Sequence, residues 1–412
     1  MSGTDVCVIG GGAAGMFAAG TAASRGARVV LLEKNDRLGK KLLITGKGRC
    51  NVTNDCQPDE VLRNVPRNAR FLFSAMRAFP PERTKSFFIT RGCPLKTERG
   101  NRVFPESDRS QSILRVLEDW LRETGVTVAR ETAEAVLTAD GAAAGVKTDR
   151  GVRDAGQVIL ATGGLSYPLT GSTGDGYRMA AALGHTIVPA FGSLVPLEED
   201  GDWCRKMQGL SLKNVGVKLF EDDKKVYEDF GELLFTHFGL SGPTILSASA
   251  HMDRGRRCRI ELDLKPALDE KKLDARIVRD FEKYQNRTLE NALIDLLPRS
   301  MIPVMVERSG IDPAGQVNSI TRAQRRTLLE LFKRFSIEIA GPRPVEEAIV
   351  TAGGVSTAEV NPKTMESKLV RGVYFAGELL DVDAYTGGFN LQIAWATGCA
   401  AGCAAARAAQ GE

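Results

Sequence analysis

The chain has 412 residues, 43% of them hydrophobic, and 55 Lys and Arg stand against 51 Asp and Glu for a net charge of +4. That length and apolar content predict two or three domains around sizeable cores, and the charge excludes a polyelectrolyte. Eight cysteines, at 7, 50, 56, 93, 204, 258, 399 and 403, form no CxxC pair and no zinc-type cluster, so no metal site is expected and a reducing cytoplasm is the expected compartment.

Residues 6–23, "VCVIGGGAAGMFAAGTAA", carry no charge and are long enough to mimic a membrane span. Three consecutive glycines break the run and Asp5, not a basic region, precedes it, so neither a span nor a signal peptide is expected. The stretch reads instead as a short buried strand, a glycine turn and an Ala-rich helix to about Ser24, with "RGARVVLLEK" giving a second strand that ends at Glu33. Within this βαβ unit stands Gly10-x-Gly12-x-x-Gly15. Gly10 permits the tight turn, Gly12 lets the backbone approach a pyrophosphate, and Gly15 lets helix meet strand. The helix start at Ala13 and Ala14 offers amides and positive dipole to phosphates. Glu33, eighteen residues beyond Gly15, is placed to accept hydrogen bonds from an adenosine ribose, and Lys34 joins the same site.

The segment from Lys34 to Arg109 holds 17 Lys and Arg against 8 Asp and Glu, a bias that suits a phosphate-bearing cofactor, an anionic partner or simply a solvated face. Cys50, in "GKGRCNVTN", sits between an Arg and an Asn; a redox thiol, a proton donor, a metal ligand and plain packing all fit that setting. "ESDRSQSILRVLEDWLRETG" (106–125) has helical spacing and "VTVAR" (126–130) reads as a strand. "QVILATGG" (157–164) is a buried strand whose end, Ala161, Thr162 and Gly163, falls where flavoproteins of this type pass the pyrophosphate.

The middle differs. Residues 191–268 carry β-type runs such as "VGVKLFE" and are expected to form an inserted β domain; 269–345 are charged and helical and are expected to form a second insertion. The flanking parts, 1–190 and 346–412, then form one doubly wound domain from both chain ends. "RGVYFAGELLDV" (371–382) supplies its last strand, with Gly377 and Glu378 in the turn, and Gly387 and Gly388 lead through Asn390 and Leu391 into a long small-residue helix. That helix start would place amides near the pyrimidine end of a flavin, where negative charge develops on reduction. NAD dehydrogenases have no need of this return, so FAD is the expected cofactor. With no second GxGxxG, NADH or NADPH as electron donor would bind only transiently. The five residues between Cys50 and Cys56, without a nicotinamide domain to feed them, argue against a catalytic disulfide.

In combination, "VIGGGAAGMFAA", "LGKKLLITGKGRCNVTN", "FPESDRS", "ATGGLSYPLTGSTGDGY", "ELLFTHFGLSGP" and the run from "VTAGGVSTAEV" to "GGFNLQIAWATG" resemble the BaiN-like, YhiN-like bacterial FAD-dependent oxidoreductases, also called aminoacetone-oxidase-like. The resemblance spans nearly the whole chain. It implies a glutathione-reductase-type Rossmann FAD domain with an inserted β-barrel-like domain and a helical domain. It also implies one of several activities: reduction of an activated C=C in a steroid, amine oxidation, or reduction of a uridine of large-subunit ribosomal RNA to dihydrouridine. By position, Lys41, Arg49, Cys50 and Asn51 lie in a segment expected to follow the cofactor, with Arg49 neutralising pyrophosphate and Asn51 bonding nearby. Cys50, acidified by Arg49, is then either the proton donor to a C=C bond or a small residue packed against the ring. His237 is the rival acid or a structural turn residue, and Tyr385 is expected near the flavin.

Three functions follow: a reductase of uridine in ribosomal RNA, a small-molecule oxidase or reductase, and a non-catalytic FAD-binding module. For the first, Arg322, Arg325, Arg326, Lys333 and Arg334 on a helix-compatible stretch are expected to meet RNA phosphates. No membrane partner is expected.

Overall fold

The computed structural model describes residues 3–253 and 255–411. The chain divides into two units, Met1–Ser193 with Val345–Glu412, and Leu194–Pro344.

In the first unit the strand Thr4–Ile9 is buried on both faces, as a run of Val, Cys and Ile without polar alternation requires. It lies parallel between Val29–Leu32 and Gly151–Leu160, with Thr127–Ala129 beyond the former and Val373–Phe375 beside the latter. The register sets Ile9 opposite both Leu32 and Leu160, and Phe375 opposite Leu160. With Ala129 opposite Leu32 as well, five carboxyl ends share one edge, and ligands of doubly wound sheets bind at such an edge. An antiparallel pair, Ala133–Ala139 and Ala142–Thr148, completes the seven strands.

The helix Ala13–Ala23 is buried along nearly its whole length. The long helix Phe389–Ala409 packs on it through glycines: a Cβ on Gly398 would lie 2.5 Å from the Ala14 carbonyl oxygen, and one on Gly402 2.4 Å from that of Ala18. Small residues thus let two backbones meet and tie the end of the chain to its start. The polar side chains this buries are satisfied. Trp395 Nε1 donates to the Val52 carbonyl at 2.9 Å. Gln392 accepts from Thr53 and Thr84 hydroxyls, each at 2.7 Å, and donates to the Phe79 carbonyl at 2.8 Å. Among the described residues no helix is long and apolar enough to cross a membrane.

The second unit is built on a closed six-stranded barrel, in the order Leu197–Glu199, Gly239–Ser241, Lys224–Phe235, Ser211–Glu221, Cys258–Asp263 and Phe335–Pro342. The last strand corrects the sequence reading, because it falls inside the stretch expected to be helical. Phe335, Ile337 and Ile339 are buried while Ser336 and Glu338 are half-exposed, a period of two that belongs to a strand. The helices Glu270–Lys283, Ile302–Ser309 and Arg322–Lys333 are an excursion between two barrel strands. Leu273, Ile277, Leu328 and Phe332 share one core with Val217, Ile260 and Ile337 of the barrel, so the boundary expected at 268 does not separate two cores.

The basic helix is also less cationic than its sequence reads. Arg325 pairs with Asp274 at 2.8 Å, Arg326 with Glu330 at 3.4 Å, Lys333 with Asp263 at 2.6 Å and Arg334 with Glu270 at 2.9 Å. Four of the five expected RNA-facing cations are already matched by carboxylates.

Candidate active site

A cavity of about 1180 Å³ runs along the shared carboxyl edge of the first unit's sheet, above the roughly 300–1,000 Å³ usual for small-ligand sites. At one end its wall is the glycine turn. Gly10 has φ +105°, and a Cβ there would lie 2.6 Å from the Ala161 carbonyl oxygen; a Cβ on Gly15 would lie 1.8 Å from the Gly10 carbonyl oxygen. A Cβ on Gly12 would meet nothing within 4 Å, so that glycine leaves space on the cavity side, with Ala13 and Ala14 beside it. Gly163, at φ +74°, and Thr162 face the turn; the Thr162 hydroxyl is buried and has no partner.

Glu33 lies here, buried. One carboxylate oxygen accepts from the Gly11 amide at 2.8 Å, and the other from the Asn35 amide and side chain, each at 2.8 Å. Three of roughly four acceptor positions are filled, which fixes the carboxylate and leaves room for a hydroxyl. Lys34 is held by Asp175 and the Thr173 hydroxyl. An elongated edge cavity, an open glycine and a fixed acid at the second strand's end all fit FAD.

In the middle, Lys41 Nζ lies 2.7 Å from Glu378 and 2.7 Å from the Ser166 hydroxyl. Glu378 also accepts from the Thr351 amide at 2.8 Å. Burial alone would raise the Glu378 pKa, but the Lys41 charge and these hydrogen bonds outweigh it and hold the carboxyl below its usual range. Gly377, at φ +71°, donates to the Thr397 hydroxyl at 2.9 Å.

At the other end the loop Thr45–Cys50, the hairpin Leu95–Pro105 and the loop Tyr385–Gly388 meet. Asn54 bridges the last two, donating to the Gly100 and Gly387 carbonyls, each at 3.0 Å. With its amide oriented to satisfy its neighbours, Asn51 donates to the Thr53 and Val103 carbonyls and accepts from the Gly388 amide at 2.9 Å. Asn390 ties the same loop, accepting from the Ala384 amide at 2.9 Å and donating to its carbonyl at 2.6 Å. Tyr385, Leu391 and Phe104 complete the wall.

Three expectations need correction here. Arg49 lines the cavity but is claimed by two carboxylates, Asp108 at 2.6 Å and Glu98, and lies over the Phe104 ring at 4.1 Å; it is not a free cation waiting for pyrophosphate. Cys50 is fully buried and does not reach the cavity wall. Desolvation pushes its thiol up to about 12, so Arg49 does not acidify it. His237 belongs to the second unit, exposed in a turn and edge-on to the Phe238 ring at 5.0 Å.

Sequence reading missed Ser166 and Thr351, which complete the Lys41–Glu378 cluster, and Asn54. "ATGGLSYPLTGSTGDGY" is dense enough in small polar residues to flag Ser166, and "VTAGGVSTAEV" contains Thr351, but nothing local ties Thr351 to partners so far away in the chain. Among the described residues no group of His, Cys, Asp and Glu is arranged to hold a metal.

A family model described as HI0933-like protein Rossmann domain matches residues 4–404. The chain is 33% identical over 405 residues to the 3-dehydro-bile acid delta(4,6)-reductase of Clostridium scindens, covering 97% of this chain and 98% of that protein. It is 29% identical over 403 residues to the ribosomal RNA dihydrouridine synthase of Escherichia coli, covering 95% of this chain and 96% of that protein. Among solved structures, 3-ketosteroid delta1-dehydrogenase from Sterolibacterium denitrificans gives a TM-score of 0.53 at 14% identity, covering 99% of this chain and 100% of that one; this is a likeness of fold.

Proposed function

This chain belongs to the HI0933-like family of flavoprotein oxidoreductases, and we propose that it saturates a C=C bond polarised by a conjugated carbonyl, with a uridine of large-subunit ribosomal RNA as the favoured substrate. The observation that carries the reading is the edge cavity of the first unit, whose fixed Glu33 and open Gly12 suit FAD. The names of the two relatives are compatible with one chemistry: the first is a reductase, and the second is named for dihydrouridine, which is uridine with a ring C=C bond saturated.

FAD, when bound, supplies the hydride for one carbon of the double bond, with NADH or NADPH as the proposed source of electrons. The protein's part is to place and protonate. Phe389–Ala409, 21 residues long, begins in the cavity wall, so its positive dipole end favours negative charge there. Asn51, Asn54 and Asn390 hold the loop that carries Tyr385, whose own amide is fixed by the Asn64 carbonyl at 2.9 Å. With Cys50 sealed in the core, the Tyr385 hydroxyl is the proposed donor of the proton to the second carbon.

Ribosomal RNA from a strain lacking this protein should lose one dihydrouridine, read by mass spectrometry of nucleosides; unchanged content removes the RNA substrate. The 33% identity to a bile acid reductase supports a second reading, a small enone as substrate. Turnover of such an enone by the purified protein, with ribosomal dihydrouridine unchanged, would select it.

A further inference from the structure

Six cations line the cavity: Lys34, Lys40, Lys41, Lys47, Arg49 and Arg102. Lys34 is paired with Asp175, Lys40 with Asp36, Lys41 with Glu378, and Arg49 with Glu98 and Asp108. Lys47 and Arg102 are exposed and, among the described residues, have no carboxylate partner. Arg102 spends only its Nε, on the Arg99 carbonyl at 3.0 Å.

Both stand at the Phe104 end. Arg102 holds its guanidinium 5.9 Å from the Phe104 ring centre, and a Cβ on Gly46, the neighbour of Lys47, would lie 3.3 Å from that ring. Lys47 has φ +58°, flanked by Gly46 at +56° and Gly48 at +83°. A lysine in this region is unusual, and its conformation is imposed by surroundings rather than preferred. Glu98, opposite Arg102 across the hairpin, is taken by Arg49, and Glu60 in the lining is engaged by Arg63 at 2.6 Å. Unpaired positive charge is therefore concentrated at the end opposite Glu33, where the pyrimidine side of the flavin is expected.

We propose that Lys47 and Arg102 bind an oxyanion of the substrate, a phosphate or a carboxylate, and so orient the reacting double bond in the cavity. This rests on the reductase reading and adds a substrate class to it: the substrate is anionic. Arg102 offers a planar fork that suits a two-oxygen contact and Lys47 a compact point charge. Two sources supply such a group, the backbone of an RNA and the acid of a small enone.

The test is a titration of FAD-loaded protein, followed by the flavin's visible absorption, with a uridine-rich RNA oligonucleotide and separately with cholate. The wild type should respond to at least one probe, more weakly at higher salt. The Lys47→Ala/Arg102→Ala protein should bind that probe roughly tenfold or more weakly, the usual loss when a charge-assisted contact is removed. The charge-keeping Lys47→Arg/Arg102→Lys protein should bind more tightly than the double alanine variant but less tightly than the wild type, because lysine keeps the charge without the fork. A response to RNA alone identifies phosphate as the anion, and a response to cholate alone identifies a carboxylate. If neither probe perturbs the wild-type flavin, or the double alanine variant binds as the wild type does, the proposal is overturned. The titration needs no turnover, so it fails separately from the reductase reading, which ribosomal dihydrouridine content decides.

Discussion

At the Glu33 end of the cavity the wall is backbone packed against backbone; at the Phe104 end it is loops pinned by asparagine side chains. The first end has glycines with no room for a Cβ and cations neutralised by carboxylates. The second has strained loop residues, Lys47 and Cys50 at φ +58° and +61°, and two unpaired cations. The contrast suggests a division of labour. An end whose geometry is fixed by main-chain contacts suits one invariant ligand, whereas an end built from loops can change its side chains without disturbing the sheet. Family members with differently named substrates fit that division.

The sharpest break should come at the first end, from two glycines that differ only in their surroundings. Gly15→Ala would put a methyl 1.8 Å from a carbonyl oxygen. The turn cannot form around it, and a loss above about 4 kcal/mol is expected, read as colourless, poorly soluble protein. Gly12→Ala meets nothing within 4 Å, so the FAD-free protein should melt like wild type while FAD affinity falls at least about tenfold. Equal FAD binding by Gly12→Ala would mean that its open side does not face the cofactor.

A smaller effect is expected between the ends, at Lys41 and Glu378. Lys41→Met strands a carboxylate whose side chain is only 22% exposed, and about 1–3 kcal/mol of stability should be lost, between the surface and fully buried limits. The sign of the pH effect follows from the depressed pKa. The unfolded chain takes the proton first as pH falls, so the contribution is complete well above 4.5, the ordinary value, and disappears as pH drops through the lower folded value. The difference in urea midpoint between wild type and Glu378→Gln should therefore narrow in acid. A gap that stays constant or widens would show that the pair is not what holds Glu378 ionised.

The same contrast explains what could be read from sequence. The Glu33 end was legible because local rules suffice: a buried strand, glycines at set spacing and an acid at the next strand's end name their own neighbours. At the Phe104 end the residues were legible, since Asn51, Tyr385, Gly387, Gly388, Asn390 and Leu391 all line the cavity as expected, but the charge was not, because its partners come from distant segments. Arg49 reads as a free cation until Glu98 and Asp108 are folded against it, and the basic helix 322–333 reads as an RNA surface until Asp263, Glu270 and Asp274 reach it. Charge can be counted in a sequence, but neutralisation is a tertiary fact. The barrel's sixth strand was lost for a related reason: it follows a helix directly, and its period-two pattern is short beside the helical one.

Cys50 sharpens the comparison with the smallest expected effect. It is next to Arg49 in sequence, yet the guanidinium is committed to Glu98 and Asp108, and the thiol points into a core that includes Val52 and Cys93. A thiol pushed up to about 12 stays protonated throughout the working range, and burial keeps it from a substrate in the cavity. Cys50→Ala removes one buried sulfur, so stability should drop by about 1 kcal/mol, FAD should be retained, and turnover should stay within a few-fold of wild type. A proton donor would instead be worth roughly 10²–10⁴ in rate. Loss on that scale in a variant that keeps its flavin would mean that the Thr45–Cys50 loop opens during the reaction. In that case the strained segment carrying Lys47 moves as part of catalysis, and the Phe104 end is defined by motion rather than by its resting side chains.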